Sequence, residues 1–296
     1  MGILCYVLGR TGTGKSYSMR NFPQDDLAVI NVVGKVLPFR DSAKIEQIAT
    51  DNSDDILKAI KAYAVSYKSI VVDDFQYVMS NEFMRRAMER GYDKFTEIAA
   101  HAWAIADVVR TLPSDVIVYV MCHTDTDQEG TERLKTIGKL LDEKIYLEGM
   151  STIVLKTVVS DGNYGFQTQN NGRDTVKSPA GMFPSFTIKN DLYYVDQKIR
   201  EYYGLGATMS AEELANADAD AAEDIDDRPK KRTRKTEESK EEPKRKVREP
   251  KPEPEPADEP TDTEPVDEQS EVAETTEATE ATETPSEPRR RRRRRV

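Results

Sequence analysis

Cysteine, histidine and tryptophan are scarce in this 296-residue chain, with two, two and one copies. Cys5 and Cys122 each lie in an apolar run, without C-x-x-C spacing or a nearby histidine, so nothing in their pattern suggests a metal. Both read as reduced core residues, because a free thiol packs as a small hydrophobe. No apolar run approaches the roughly 18 residues a membrane span needs, and the first eight residues run straight into a glycine loop. The expectation is a soluble, cytoplasmic protein with no membrane partner. A third shortage is positional. Residues 206–296 contain no Phe, Tyr or Trp, yet hold 10 of the 15 prolines, 27 acidic and 19 basic residues. Such a stretch cannot bury enough apolar surface to offset the entropy of ordering its backbone. It reads as a disordered, charged, low-complexity tail, with one folded domain over residues 1–205. The folded part has 27 acidic and 24 basic residues, so most of the formal charge of -11 falls in the tail. A nearly neutral core gives no bulk sign of a nucleic-acid binder, and any basic surface must be local.

Within the first 205 residues, four apolar runs have the length and β-branched content of strands buried on both faces: Ile3–Leu8, Leu27–Val33, Ser69–Asp73 and Val116–Cys122. Helical spacing appears over Ser53–Tyr67 and Tyr92–Leu112. Strands alternating with helices predict an α/β fold around a mainly parallel sheet. Beyond Leu147 the pattern changes. Thr152–Val159 and Tyr164–Thr168 flank Ser160-Asp161-Gly162-Asn163, a hairpin turn signature. A short strand at Phe186–Ile188 and a closing amphipathic helix at Asp191–Tyr203 follow.

The strongest chemical signal is Gly9-Arg10-Thr11-Gly12-Thr13-Gly14-Lys15-Ser16, which matches G-x-x-x-x-G-K-[ST] directly after a predicted strand and before a short helix ended by Pro23. Gly12 and Gly14 let successive backbone N–H groups turn inward around a β-phosphate, and the helix N-terminus adds a positive dipole. Lys15 is expected to reach the β- and γ-phosphates, Ser16 to ligate Mg²⁺, and the loop through Tyr17 to bind ATP. The competing reading is an ordinary glycine turn, but strand, loop, lysine and hydroxyl all coincide. A P-loop needs a second Mg²⁺ anchor at the tip of a neighbouring buried strand. Asp73 ends Ile70-Val71-Val72 and fills that position. Asp74 is then the candidate to orient an attacking water, although it is one methylene shorter than the Glu many such ATPases use; Gln76 and Glu82 are weaker candidates. Where the strand carrying Met121-Cys122 lies between the P-loop strand and the Asp73 strand, its polar tip faces the γ-phosphate, so His123 or Thr124 could sense hydrolysis. A solvated strand end is the plainer alternative. His101, beside Trp103 in a helix, reads as structural.

With these motifs in place, the chain resembles bacteriophage P-loop ATPases with a RecA-like core, the Sak-type single-strand annealing or recombination group of phage AAA-family ATP-binding proteins. The resemblance rests on GRTGTGKS at residues 9–16, INVVGKVLPF at 30–39, VVDDFQYVM at 71–79, GYDKF at 91–95, KTIGKLLDEKI at 135–145 and KSPAGMF at 177–183. Only the first is specific in itself; the rest persuade by order and spacing. The resemblance implies a Mg²⁺-dependent ATPase acting on single-stranded DNA in recombination, annealing or replication. It also implies a homo-oligomer, phage or host recombination or replication proteins as partners, and the host cytoplasm. One departure stands out. Many RecA-like ATPases put a water-activating acid at the end of the strand after the P-loop helix, whereas here that position reads Asn31-Val32-Val33-Gly34-Lys35. Hydrolysis then falls to Asp74, is slow, or needs a neighbouring subunit.

For DNA, the resemblance points to loops after the later strands, with Arg133, Lys135, Lys139, Lys144, Lys156, Arg173 and Lys177 near Tyr164 and Phe166. Cations neutralise phosphates and aromatics stack bases. Asp125, Asp127, Glu129, Glu132, Asp142 and Glu143 nearly cancel that charge. In the tail, Arg289–Arg295 form a run of seven arginines that suits either nucleic acid or the tail's own acidic section. Two other classes remain: a P-loop kinase of a small acceptor, and a nucleotide-dependent binding module with little hydrolysis.

Overall fold

The structure is a computed structural model and describes residues 1–223. In chain order its elements are β1 (Ile3–Leu8), a 3-10 helix (Ser16–Asn21), β2 (Leu27–Asn31), β3 (Glu46–Ala49), α1 (Ser53–Tyr63), β4 (Ser69–Asp73), α2 (Gln76–Arg85), α3 (Asp93–Asp107), β5 (Ile117–Cys122), β6 (Thr124–Thr126), β7 (Glu132–Leu134), β8 (Ile153–Ser160), β9 (Asn163–Gln167), β10 (Thr187–Lys189), α4 (Leu192–Tyr203) and α5 (Ala211–Glu223). Eight strands form one sheet in the order β10-β9-β8-β1-β5-β4-β2-β3. The run from β3 to β8 is parallel, and β8-β9-β10 adds an antiparallel flank.

The four apolar runs occupy the centre. β2, β4 and β5 are buried at every position, which is why they read as continuous hydrophobic segments rather than alternating ones. Successive residues nevertheless face opposite layers. Tyr6, Leu8, Val118 and Val120 join the cluster that takes in Ile56 and Ile60 of α1 and Ile98 and Ile105 of α3. Cys5, Val7, Tyr119 and Met121 join the one containing Met19, Phe22, Val195 and Ile199, so helices cover both faces. Each such side chain contributes about 1.5–3 kcal/mol when fully buried. Both cysteines are buried and free, and burial pushes both thiols up in pKa.

Helix ends follow local chemistry. Asn52 caps α1 by accepting from the Asp54 and Asp55 amides, and Asp191 caps α4 by accepting from Tyr193 and Tyr194. α1 stops at Tyr63, four residues before the spacing suggested, because Val65 and Ser66 bond back to Ala62 and Tyr63 in a tighter turn. The β8–β9 hairpin turns through Asp161 and Gly162, both with positive φ, as a two-residue connection requires.

Two expectations are corrected. The segment after Lys15 is a six-residue 3-10 helix, too short to supply a helix dipole, so any phosphate cradle rests on the loop amides. The folded chain also runs past Leu205. The Gln197 side-chain oxygen accepts from the Thr208 and Met209 amides, Asp218 bonds Tyr194 and Lys198, and Leu214 is buried. The acidic, alanine-rich composition concealed α5 because only Leu214 and Ala217 anchor it among polar contacts. The expectation for Arg289–Arg295 falls outside the described residues.

Candidate functional site

The carboxyl ends of β1, β2, β4 and β5 converge, the edge where open α/β sheets place ligands. A cavity of about 590 Å³ opens there, lined by the glycine-rich loop at residues 9–16, Lys35, Asp74, His123 and Tyr164 among others. β5 lies between β1 and β4, so the tips bearing the P-loop, His123 and Asp73 are adjacent.

The glycine-rich loop at residues 9–16 is fixed by packing. Gly12 and Gly14 have φ of 79° and 92°, open to glycine and strained for other residues. A Cβ on Gly9 would stand 1.8 Å from Thr157 Oγ1. Thr157 holds that place because its hydroxyl lies 2.6 Å from Thr13 Oγ1 and donates to the Leu8 carbonyl at 3.2 Å, tying the loop to β8. Lys15 is buried and donates to the carbonyls of Gly9 at 2.7 Å and Arg10 at 2.9 Å. Burial lowers its pKa, partly offset by the charges of Asp74 and Asp73.

Ser16 and Asp73, 57 positions apart, meet directly: the Ser16 hydroxyl lies 3.0 and 2.8 Å from the two Asp73 carboxylate oxygens. Burial raises Asp73 to a pKa of about 6, with the charge of Asp74 adding to it, while the Ser16 hydrogen bond, Lys35 and Lys15 oppose the shift. Among the described residues no group of three or more His, Cys, Asp or Glu forms a metal cage. A hydroxyl beside one buried carboxylate does fit Mg²⁺, which takes few protein ligands and completes its shell with phosphate and water.

Asp74 is buried and has a positive φ of 60°. It is ion-paired with Lys35, and His123 Nε2 stands 3.7 Å from its carboxylate. Burial, then the charge of Lys15, lowers the pKa of His123, favouring neutral imidazole. Its backbone amide donates to Gln76 Oε1 at 3.1 Å, and its Nδ1 lies 3.4 Å from Thr11 Oγ1. Thr124 is not available as a sensor, since its hydroxyl donates to Glu132 at 2.7 Å. Glu82 is bound by Arg86 and His101, so neither Glu82 nor His101 lies free for chemistry. On the open flank Tyr17 and Tyr164 have centroids 6.5 Å apart, with Arg20 over the Tyr17 ring at 4.3 Å. Arg10 points outward, near Glu132.

The sequence-based DNA surface separates into two sets. Lys156 is buried between Asp174 at 2.9 Å and Glu132 at 3.2 Å and Phe166 is fully buried, so these two cannot meet DNA, whereas Tyr164 is exposed and lines the cavity. Lys135, Lys139, Lys144 and Arg173 are exposed, and Arg133 lies over Tyr146 at 5.5 Å. Lys35 is the residue the sequence reading missed as a site group. In the sequence it stands only at the end of a segment lacking an acid, and a lysine just past a buried strand tip is the available signal.

In comparisons with known proteins, the chain matches no family model and no curated relative.

Proposed function

We propose that this chain binds ATP with Mg²⁺ and hydrolyses it on a RecA-like P-loop core, and that it does so while handling single-stranded DNA. The observation that carries the nucleotide reading is the Ser16–Asp73 contact, with Lys15 beside it: the hydroxyl, carboxylate and ammonium of a P-loop site lie together. Lys15 would hold the β- and γ-phosphates, the loop amides would cradle them, and Ser16 and Asp73 would hold Mg²⁺. Bound there, the cation neutralises phosphate charge. Tyr17 and Tyr164 offer ring faces at the open side, suited to a nucleobase. Asp74 and neutral His123 are the groups able to orient a water.

A kinase is expected to carry an arginine-rich lid, and that alternative loses support because, of the cluster Arg85, Arg86 and Arg90, two are committed: Arg85 to Asp51, and Arg86 to Glu82, Glu89 and Glu97. The DNA component rests on the resemblance and on the exposed cations after β5, and assembly into a homo-oligomer rests on the resemblance alone. The deciding experiment measures Mg²⁺-dependent ATP turnover with and without single-stranded DNA. Turnover stimulated by DNA supports the whole reading. Turnover indifferent to DNA removes the DNA component, and binding without turnover favours the nucleotide-dependent module.

A further inference from the structure

The position where RecA-like ATPases often carry an acid is occupied by a cation aimed at the site. β2 ends at Asn31, whose side-chain amide donates to the Lys35 carbonyl at 2.6 Å and accepts from the Gly34 amide at 2.9 Å. Gly34 takes φ of 71°, which closes the turn. This clamp delivers Lys35 to the same cavity as Lys15 and His123, where its ammonium pairs with Asp74. The two partners differ in freedom. The Asp74 side chain is 4% exposed, whereas that of Lys35 is 43% exposed on a flexible four-carbon stem. The carboxylate is fixed and the cation is able to move. Lys35, at the turn after β2, and Asp74 and His123, at the tips of β4 and β5, line one cavity with the loop whose amides would take the β-phosphate.

We propose that Lys35 is a terminal-phosphate contact: with a nucleoside triphosphate in the cavity, its ammonium leaves Asp74 for the γ-phosphate, so the site distinguishes triphosphate from diphosphate. The inference rests on the nucleotide reading above. The exchange releases the Asp74 carboxylate from its cation at the moment a triphosphate is present, leaving it free to accept a hydrogen bond from water. No bond is made or broken in the exchange.

The test compares affinity for Mg²⁺ with ADP or with a non-hydrolysable ATP analogue by calorimetry. Lys35→Met alone would leave Asp74 unpaired beside the phosphates and weaken both nucleotides, so the informative variant is Lys35→Met with Asp74→Asn, which leaves the local charge balance unchanged. Loss of one charge-assisted contact should reduce the triphosphate-to-diphosphate preference roughly tenfold or more. Lys35→Arg should keep most of the preference, and Asp74→Asn alone should raise it by removing the competitor. A double variant with wild-type preference would show Lys35 to be only a counter-ion and overturn the inference. Lys15→Ala separates the two levels. If the wild-type chain binds neither nucleotide, or Lys15→Ala binds both as before, the P-loop reading falls and takes the inference with it; if Lys15→Ala loses both while the double variant keeps the preference, only the inference falls.

Discussion

Two buried carboxylates, one at each end of the parallel strands, are handled in opposite ways. Asp196 lies near the amino ends of β4 and β5 and is saturated: it accepts from Ser69 at 2.6 Å, Tyr119 at 3.0 Å and Arg200 Nε at 2.6 Å. Arg200 in turn donates to the carbonyls of Asp115 and Lys68, locking α4 to the strands. Asp74, at the carboxyl edge, has one exposed lysine and a histidine at 3.7 Å. A closed network specifies geometry, whereas an open one leaves charge available to a ligand. The sheet thus has a structural edge and a chemical edge, and burial alone does not tell them apart; the number and mobility of the partners does.

Breaking the structural edge should have the largest effect. Arg200→Met strands Asp196 as an uncompensated buried charge and should cost about 3–5 kcal/mol in urea unfolding. Adding Asp196→Leu to it should recover much of that loss. A single variant as stable as wild type would show that the two edges do not differ in kind. Lys15→Ala should do the reverse: folding stability changes by less than about 1 kcal/mol, while nucleotide affinity falls roughly a hundredfold, equivalent to about 3 kcal/mol. Calorimetry and thermal melting on the same sample separate the two effects.

The structural edge extends into the residues after Leu205, which bond to Gln197, Tyr194 and Lys198 of α4. Ending the chain at Leu205 should therefore cost about 2 kcal/mol, chiefly from losing the burial of Leu214 against the core, whereas ending it after Glu223 should cost almost nothing. Equal stability of the two truncations would move the domain end back to Leu205. Asp74→Asn should also change stability little, by under about 1 kcal/mol, since Asn tolerates positive φ and the released Lys35 has solvent to turn to. Turnover should nevertheless fall well below wild type with ATP binding kept. Unchanged turnover would assign the water-orienting role elsewhere.

The central strands were legible because complete burial leaves an unmistakable apolar run, and the limits of β1 and β4 matched the expectation residue for residue. The glycine turns at Gly12 and Gly14 were legible because the motif that demands them is local in sequence. β3 was not: all four of its residues are exposed on an edge, so no apolar pattern marks it. α2 was hidden behind the Asp73-Asp74 pair, its polar residues satisfied by partners such as Asp51 and His101 that only the fold brings near. The pairing of Lys35 with Asp74 depends on β2 and β4 being neighbours with Asn31 opposite Asp73, a register no local pattern encodes. Lys156 and Phe166 misled because their residue types fit a DNA surface while their positions on an internal strand and its neighbour bury them.

The left-handed backbone at Asp74 has a consequence for which acid can stand there. A φ of 60° is readily adopted by Gly, Asn and Asp, whose short side chains leave the preceding and following peptides clear, and is uncomfortable for longer residues. The shorter acid, with its limited reach, is therefore what this turn selects. Lengthening it by one methylene would set the side chain against the conformational preference of the main chain, so the reach of the carboxylate into the cavity is bounded by the shape of a single peptide turn.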